Sequence, residues 1–163
     1  YFSGICLKKV IQFRRSVIPV KTHIHISTFV TGNTSCPWSA LGGKFYKFFH
    51  TKVGWADAEV HCLKNGGNLA SVHNKEENFF IQNLIKQATG SNTRTWIGGY
   101  DAVKEGTWLW SDGLKMNFKN WGYTQPSNYL GKEHCIEVNY ASSPQWNDDN
   151  CSSEKPFVCV RRG

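Results

Sequence analysis

The chain has 163 residues, 19 Lys and Arg against 12 Asp and Glu, and 14% aromatic residues with seven Trp. This size and aromatic content suit one domain with a real core and argue against a disordered chain; no run of about 18 apolar residues reads as a membrane span, and no basic stripe interleaved with stacking aromatics reads as a nucleic-acid surface. Six Cys without a C-x-x-C pair point to disulfides in an oxidising compartment rather than to zinc.

Residues 1–35 read as a basic arm or linker. They carry Lys8, Lys9, Arg14, Arg15 and Lys21 and no acid, so most of the net charge of +7 sits there and residues 36–163 are nearly balanced. The arm has no apolar stretch of signal-peptide length, and a chain starting at Tyr1 is expected to have lost its signal peptide or to have it outside this stretch. Asn33-Thr34-Ser35 is an N-glycosylation sequon. Ile24 and Ile26 alternate weakly, enough for one added strand.

The domain is expected over residues 36–163, opening at Cys36-Pro37-Trp38. The aromatic run 44–49 predicts the first strand. Residues 55–65 predict a helix stopped by Gly66-Gly67, with Ala58 and Cys62 on one face and Cys62 pointing inward. A second helix is predicted from Asn74, which can cap it, with Glu77 three residues on in capping-box position. Its buried stripe is predicted as Phe80, Leu84 and Ala88, and its stop as Gly90. Residues 96–99 and 107–110 read as core strands, the Gly98-Gly99 pair suiting close backbone packing against the following loop. Residues 111–132 form a loop too long to be inert. Residues 135–140 and 156–160 read as closing strands.

The stretch 125–159 carries the chemistry. Gln125, Ser127, Glu133, Asn147 and Asp148 offer side-chain oxygens, the mixed carboxylate and amide set that Ca²⁺ prefers. Their spacing does not fit one continuous Ca²⁺ loop, so a site must come from two segments, which Cys135 and Cys151 could hold together.

Gln125-Pro126-Ser127, Glu133 two residues before Cys135, Trp146-Asn147-Asp148, and then Cys151 and Cys159 resemble a C-type lectin domain. Leu69-Ala70-Ser71-Val72, Trp96-Ile97-Gly98-Gly99 and Phe157-Val158-Cys159 fit the same pattern in the same order. The resemblance implies an α+β fold, two helices packed on small antiparallel sheets with a long ligand loop. It also implies disulfides Cys62–Cys159 and Cys135–Cys151, and a cis Pro126. One Ca²⁺ would be held by Gln125, Glu133, Asn147 and Asp148, with the sugar contacted by Gln125, Ser127, Tyr129, Glu133, Asn147 and Asp148. In this pattern Gln125 and Asn147 each offer an amide oxygen to the ion and an NH₂ to the sugar. The family's Gln-Pro-Asp goes with galactose-type hydroxyls and its Glu-Pro-Asn with mannose-type. Gln125 therefore leans to galactose, and Tyr129 stands where an aromatic would stack on the ring. Ser127 removes one ligand charge, leaving Glu133 and Asp148, which predicts weakened calcium or sugar binding without it.

A second family Ca²⁺ site would draw on Asp101 and Glu105, but His134 stands where an acid is usual, so these two are read as solvated loop acids; zinc at His134 is discounted. Phe45 stands where many members carry the partner of Cys36, so Cys36 could pair with Cys6 or either could cross-link two chains into a homodimer. Asn150-Cys151-Ser152 is a sequon expected to be little used. The resemblance extends to soluble fish-type galactose- or lactose-binding lectins. It implies a secreted, extracellular carbohydrate-binding protein of innate immunity whose partners are glycans, including those of microbial surfaces. Two alternatives are an ice-binding protein of the type II antifreeze kind, though those usually carry more cysteines, and a lectin-like module that binds proteins only, which Ser127 favours. No G-x-S-x-G, H-E-x-x-H or phosphate-binding Gly-Lys-Ser/Thr motif supports an enzyme.

Overall fold

A computed structural model describes residues 37–163; the basic arm, Cys6 and Cys36 lie outside the described residues. In chain order the elements are β1 (Ser39–Leu41), β2 (Lys44–Val53), α1 (Trp55–Lys64), β3 (Asn68–Leu69), α2 (Lys75–Thr89), β4 (Thr95–Tyr100), β5 (Leu109–Trp110), β6 (Cys135–Val138), β7 (Trp146–Asp149) and β8 (Lys155–Arg162). The described strands form one connected sheet in the order β1-β2-β8-β4-β6-β7, with β3 on β8 and β5 on β4. It is mixed rather than a set of small antiparallel sheets, because β4 and β8 run parallel through Trp96 and Phe157.

Both faces of the sheet are covered, and strand alternation divides the core accordingly. On β8, Phe157 and Cys159 join Ala58 and Cys62 of α1, while Val158 and Val160 join Ile81 and Ile85 of α2. On β4, Trp96 faces the first cluster and Ile97 the second. Burial on both sides explains why β8 reads as a nearly unbroken apolar run rather than an alternating one. The disulfides are Cys62–Cys159, from α1 to β8, and Cys135–Cys151, from the start of β6 to the turn after β7.

Helix α1 is fixed by its own carboxylate. Glu59 accepts from Leu69 N at 2.7 Å, Asn68 Nδ2 at 2.6 Å and Ser111 Oγ at 3.0 Å, tying the helix to β3 and to the end of β5. At the start of α2, Asn74 Oδ1 accepts from Glu77 N at 2.8 Å. Glu77 reaches one residue further back than a capping box would, accepting from His73 N at 2.9 Å, and also takes the Lys44 ammonium at 2.7 Å. The buried stripe of α2 is Asn78, Ile81 and Ile85; Phe80 and Leu84 pack half-buried beside it, and Ala88 is exposed. Asn78 belongs to the stripe because its Oδ1 accepts from the buried Trp146 Nε1 at 2.8 Å.

The glycine pair on β4 admits the start of the following loop and other neighbours as well. A Cβ on Gly98 would meet Leu69 O at 2.6 Å and Ser111 Oγ at 2.9 Å, and one on Gly99 would meet the Ile136 side chain at 2.2 Å. No helix among the described residues is long and apolar enough to cross a membrane.

Candidate functional site

The site is built around Trp146. Its indole packs edge-on against Trp110, Phe118 and Trp121, and Trp121 packs in turn on Trp108. The backbone of the long loop docks here as well: Trp146 N donates to Asn120 O and Gly122 N to Trp146 O, each at 2.8 Å. Gln125 N then donates to Gly122 O at 3.1 Å, so the loop base is fixed immediately before the cis Gln125–Pro126 bond.

Beyond that bond the loop closes on two carboxylates. Asp148, fully buried on β7, accepts from Ser127 N at 2.8 Å and Asn128 N at 2.7 Å. Glu133 Oε2 accepts from Ser127 Oγ at 2.9 Å and Tyr129 N at 2.8 Å, and Glu133 N donates to Asn128 Oδ1 at 3.2 Å. Ser127 therefore bridges Glu133 and Asp148, one through its hydroxyl and the other through its backbone. Gln125 Oε1 is buried and has no hydrogen-bond partner among the described residues. An unpaired buried carbonyl oxygen costs about 1–3 kcal/mol. That cost is relieved if the oxygen coordinates a cation, so the donor set of Gln125, Glu133, Asn147 and Asp148 fits a hard ion.

Asn147 adds a detail that the sequence does not carry. Its Nδ2 donates at 2.9 Å to Glu137 Oε1, so one hydrogen of the amide expected to face a sugar is committed inward. Glu137 is completely buried on β6 and sits opposite Asn147 in the β6–β7 register. Arg94 holds Glu137 with both arms of its guanidinium, Nε to Oε2 at 2.8 Å and Nη2 to Oε1, and also bonds Asp149 at 2.9 Å. Hydrogen bonding to Glu137 raises the pKa of Arg94 above its ordinary value. Lys155, buried against the face of Trp96 at 4.0 Å, pairs with Asp149 and lies 3.5 Å from Glu137. Two cations thus neutralise two acids, which an acid in the core requires. A lone acid inside the apolar run Cys135-Ile136-Glu137-Val138 was the available signal for this network.

Tyr129 projects from the loop with 67% of its surface exposed, and Tyr123, which sequence reading did not single out, is 93% exposed. Asp101 is not a solvated loop acid. It is 1% exposed, accepts from Gly106 N at 2.8 Å, and its Oδ1 lies 3.1 Å from His134 Nδ1. Glu105, in contrast, is largely exposed, with its carboxylate 3.5 Å from the same imidazole nitrogen. Asp101, Glu105 and His134 bring their ligand atoms within 4.8 Å of one another, a group that could hold a metal.

Two helices on a mixed sheet, a cis Gln-Pro in a long docked loop, and paired carboxylates behind it define a lectin-like domain. The chain belongs to the lectin C-type domain family, whose pattern it matches over residues 51–161. It is 45% identical over 130 residues to nattectin, a galactose-specific lectin of Thalassophryne nattereri, covering 78% of this chain and 81% of that one. It is 41% identical to ladderlectin of Oncorhynchus mykiss, over 78% of this chain and 68% of that one. Among solved structures, the herring type II antifreeze protein superposes with a TM-score of 0.73 at 32% identity, over 78% of this chain and 97% of that one.

Proposed function

We propose that this protein is a secreted lectin that binds galactose- or lactose-type glycans through the loop site, with one Ca²⁺ held by Gln125, Glu133, Asn147 and Asp148. The carrying observation is the buried, unpartnered Gln125 Oε1, two residues before the Ser127 that bridges two carboxylates. The names of the related fish lectins, one of them galactose-specific, support the sugar class. When bound, the ion supplies coordination for two vicinal hydroxyls of the sugar ring. The chain's own groups do the remaining work. Gln125 has an amide NH₂ to donate to a hydroxyl, and Asn147 retains one amide hydrogen beyond the one given to Glu137. Glu133 accepts hydrogen bonds from hydroxyls, and Tyr129 is exposed for stacking on the apolar face of the ring.

Single sites of this kind bind weakly, about −4 kcal/mol at millimolar affinity, so useful avidity requires more than one domain. Cys6 and Cys36 provide a route to a disulfide-linked homodimer, and glycans of microbial surfaces are the partner class. The deciding experiment is retention on immobilised lactose, first with calcium and then with a chelator. Retention lost with chelator is expected. Retention in both conditions would leave direct sugar binding by Gln125, Asn147 and Tyr129, and no retention in either would overturn the reading. Similarity to the herring antifreeze protein favours ice binding as the second reading, and thermal hysteresis at millimolar protein would reveal it.

A further inference from the structure

We propose that Glu137, buried beneath the ligand loop, is a positioning residue that sets which end of the Asn147 amide faces the site. The inference rests on the calcium-dependent reading of that site. A carboxylate only accepts hydrogen bonds, so the amide atom facing it must be the nitrogen. Nδ2 at 2.9 Å from Glu137 Oε1 therefore turns Asn147 Oδ1 away from Glu137, leaving the oxygen as the end available to a cation. Most asparagines on a loop could present either end at little cost. Asn147 is 3% exposed and sits on a paired strand opposite Glu137, which removes that freedom.

Glu137 can play this part because it is itself fixed. Arg94 grips both of its oxygens, and Lys155 stands 3.5 Å from Oε2, so the carboxylate is held in one orientation. The order runs from Arg94 on the edge of β4, to Glu137 on β6, to Asn147 on β7, and ends at the ligand loop. Groups that orient a metal ligand from behind typically change metal affinity about 10- to 100-fold when removed.

Glu137→Gln tests this directly. A glutamine whose oxygen takes the Oε2 place, against Arg94 Nε and Lys155, turns its NH₂ towards Asn147, which must then flip and offer its own NH₂ to the ion. The full-length variant is titrated with calcium by calorimetry, and the Asn147 side-chain amide is followed by NMR in both proteins. About tenfold weaker calcium binding by a folded variant is expected, with a displaced Asn147 amide resonance in the calcium-free state. A simple loss of packing would lower the melting temperature without moving that resonance selectively. Equal calcium affinity in a folded variant overturns the inference while leaving the calcium site standing. Wild-type protein that takes up no calcium overturns the calcium reading, and the role of Glu137 with it. Should the variant not fold, the wild type decides. A slowly exchanging Asn147 NH₂ in calcium-free protein supports the inference, and one that exchanges as fast as a solvent-exposed amide overturns it.

Discussion

Ser127 is the residue through which the ligand loop ties its two acids together. Its hydroxyl donates to Glu133 Oε2 at 2.9 Å and its backbone N–H to Asp148 at 2.8 Å, so each acid already has a donor. A carboxylate in place of that hydroxyl would face Glu133 directly. Two like charges at about 4 Å repel by roughly 1–4 kcal/mol, depending on solvent exposure, and a bound divalent cation reverses the sign of that term. Ser127→Asp should therefore bind calcium about tenfold more tightly, since affinity follows ligand charge, and should melt at a lower temperature than wild type in chelator. Calorimetry and thermal melts check the two halves. Unchanged calcium affinity would mean that Ser127, Glu133 and Asp148 do not share an ion. The candidate oxygens could be named from the sequence because hard oxygens at fixed offsets from two cysteines are themselves a chemical pattern. Glu137 was not, because its role depends on which residue of β7 lies opposite it, and register is a property of two distant segments.

At the level of elements, helix α2 shows why periodicity alone misplaced a face. The apolar count selected Phe80, Leu84 and Ala88, whereas the buried positions are Asn78, Ile81 and Ile85. A polar side chain breaks a hydrophobic count, yet Asn78 is buried because it accepts from Trp146 Nε1. The cap, by contrast, is local chemistry and was readable: Asn74 Oδ1 accepts from Glu77 N at 2.8 Å. Asn74→Ala should cost about 1 kcal/mol, read as a lower urea midpoint with an unchanged slope. The short strand β3 escaped sequence reading because two residues carry no period. Its place on β8 depends on Gly67, where a Cβ would come to 2.1 Å from Val160 O. The obstacle is backbone and cannot rotate aside, so Gly67→Ala should destabilise by about 1–3 kcal/mol, the usual cost of overpacking. A Gly67→Ala protein as stable as wild type would show that β3 shifts along β8 without penalty. Strand β7 was also missed, since Trp146-Asn147-Asp148-Asp149 reads as polar. Three of its four side chains are polar because neighbouring elements use them.

The whole molecule is a sheet whose ends are far apart in sequence, and this accounts for what its composition hid. The parallel β4–β8 pairing that joins the sheet into one is made by Trp96 and Phe157, and no local pattern announces a pair at that separation. Closing such long loops is entropically costly, and the two disulfides address that cost unequally. Cys62–Cys159 closes a separation of 97 residues and Cys135–Cys151 one of 16. Loop-closure entropy assigns about 4.7 kcal/mol to a 100-residue loop and about 3 kcal/mol to a 15-residue one. Replacing Cys62 and Cys159 by Ala should therefore lower stability by roughly 1.5 kcal/mol more than replacing Cys135 and Cys151. Ligand binding should show the opposite order. Cys135 lies two residues after Glu133 and Cys151 three residues after Asp148, so the shorter bridge ties together the two segments that supply the site's carboxylates. The longer bridge fastens α1 to β8 and does not join those two segments to each other. Urea midpoints and lactose retention, measured on both double variants, separate the two effects. Equal loss of stability would mean that strain released in the folded state, rather than chain entropy, dominates. Lactose retention surviving loss of the Cys135–Cys151 bridge would mean that the β6–β7 pairing and the Trp146 cluster hold the site without it.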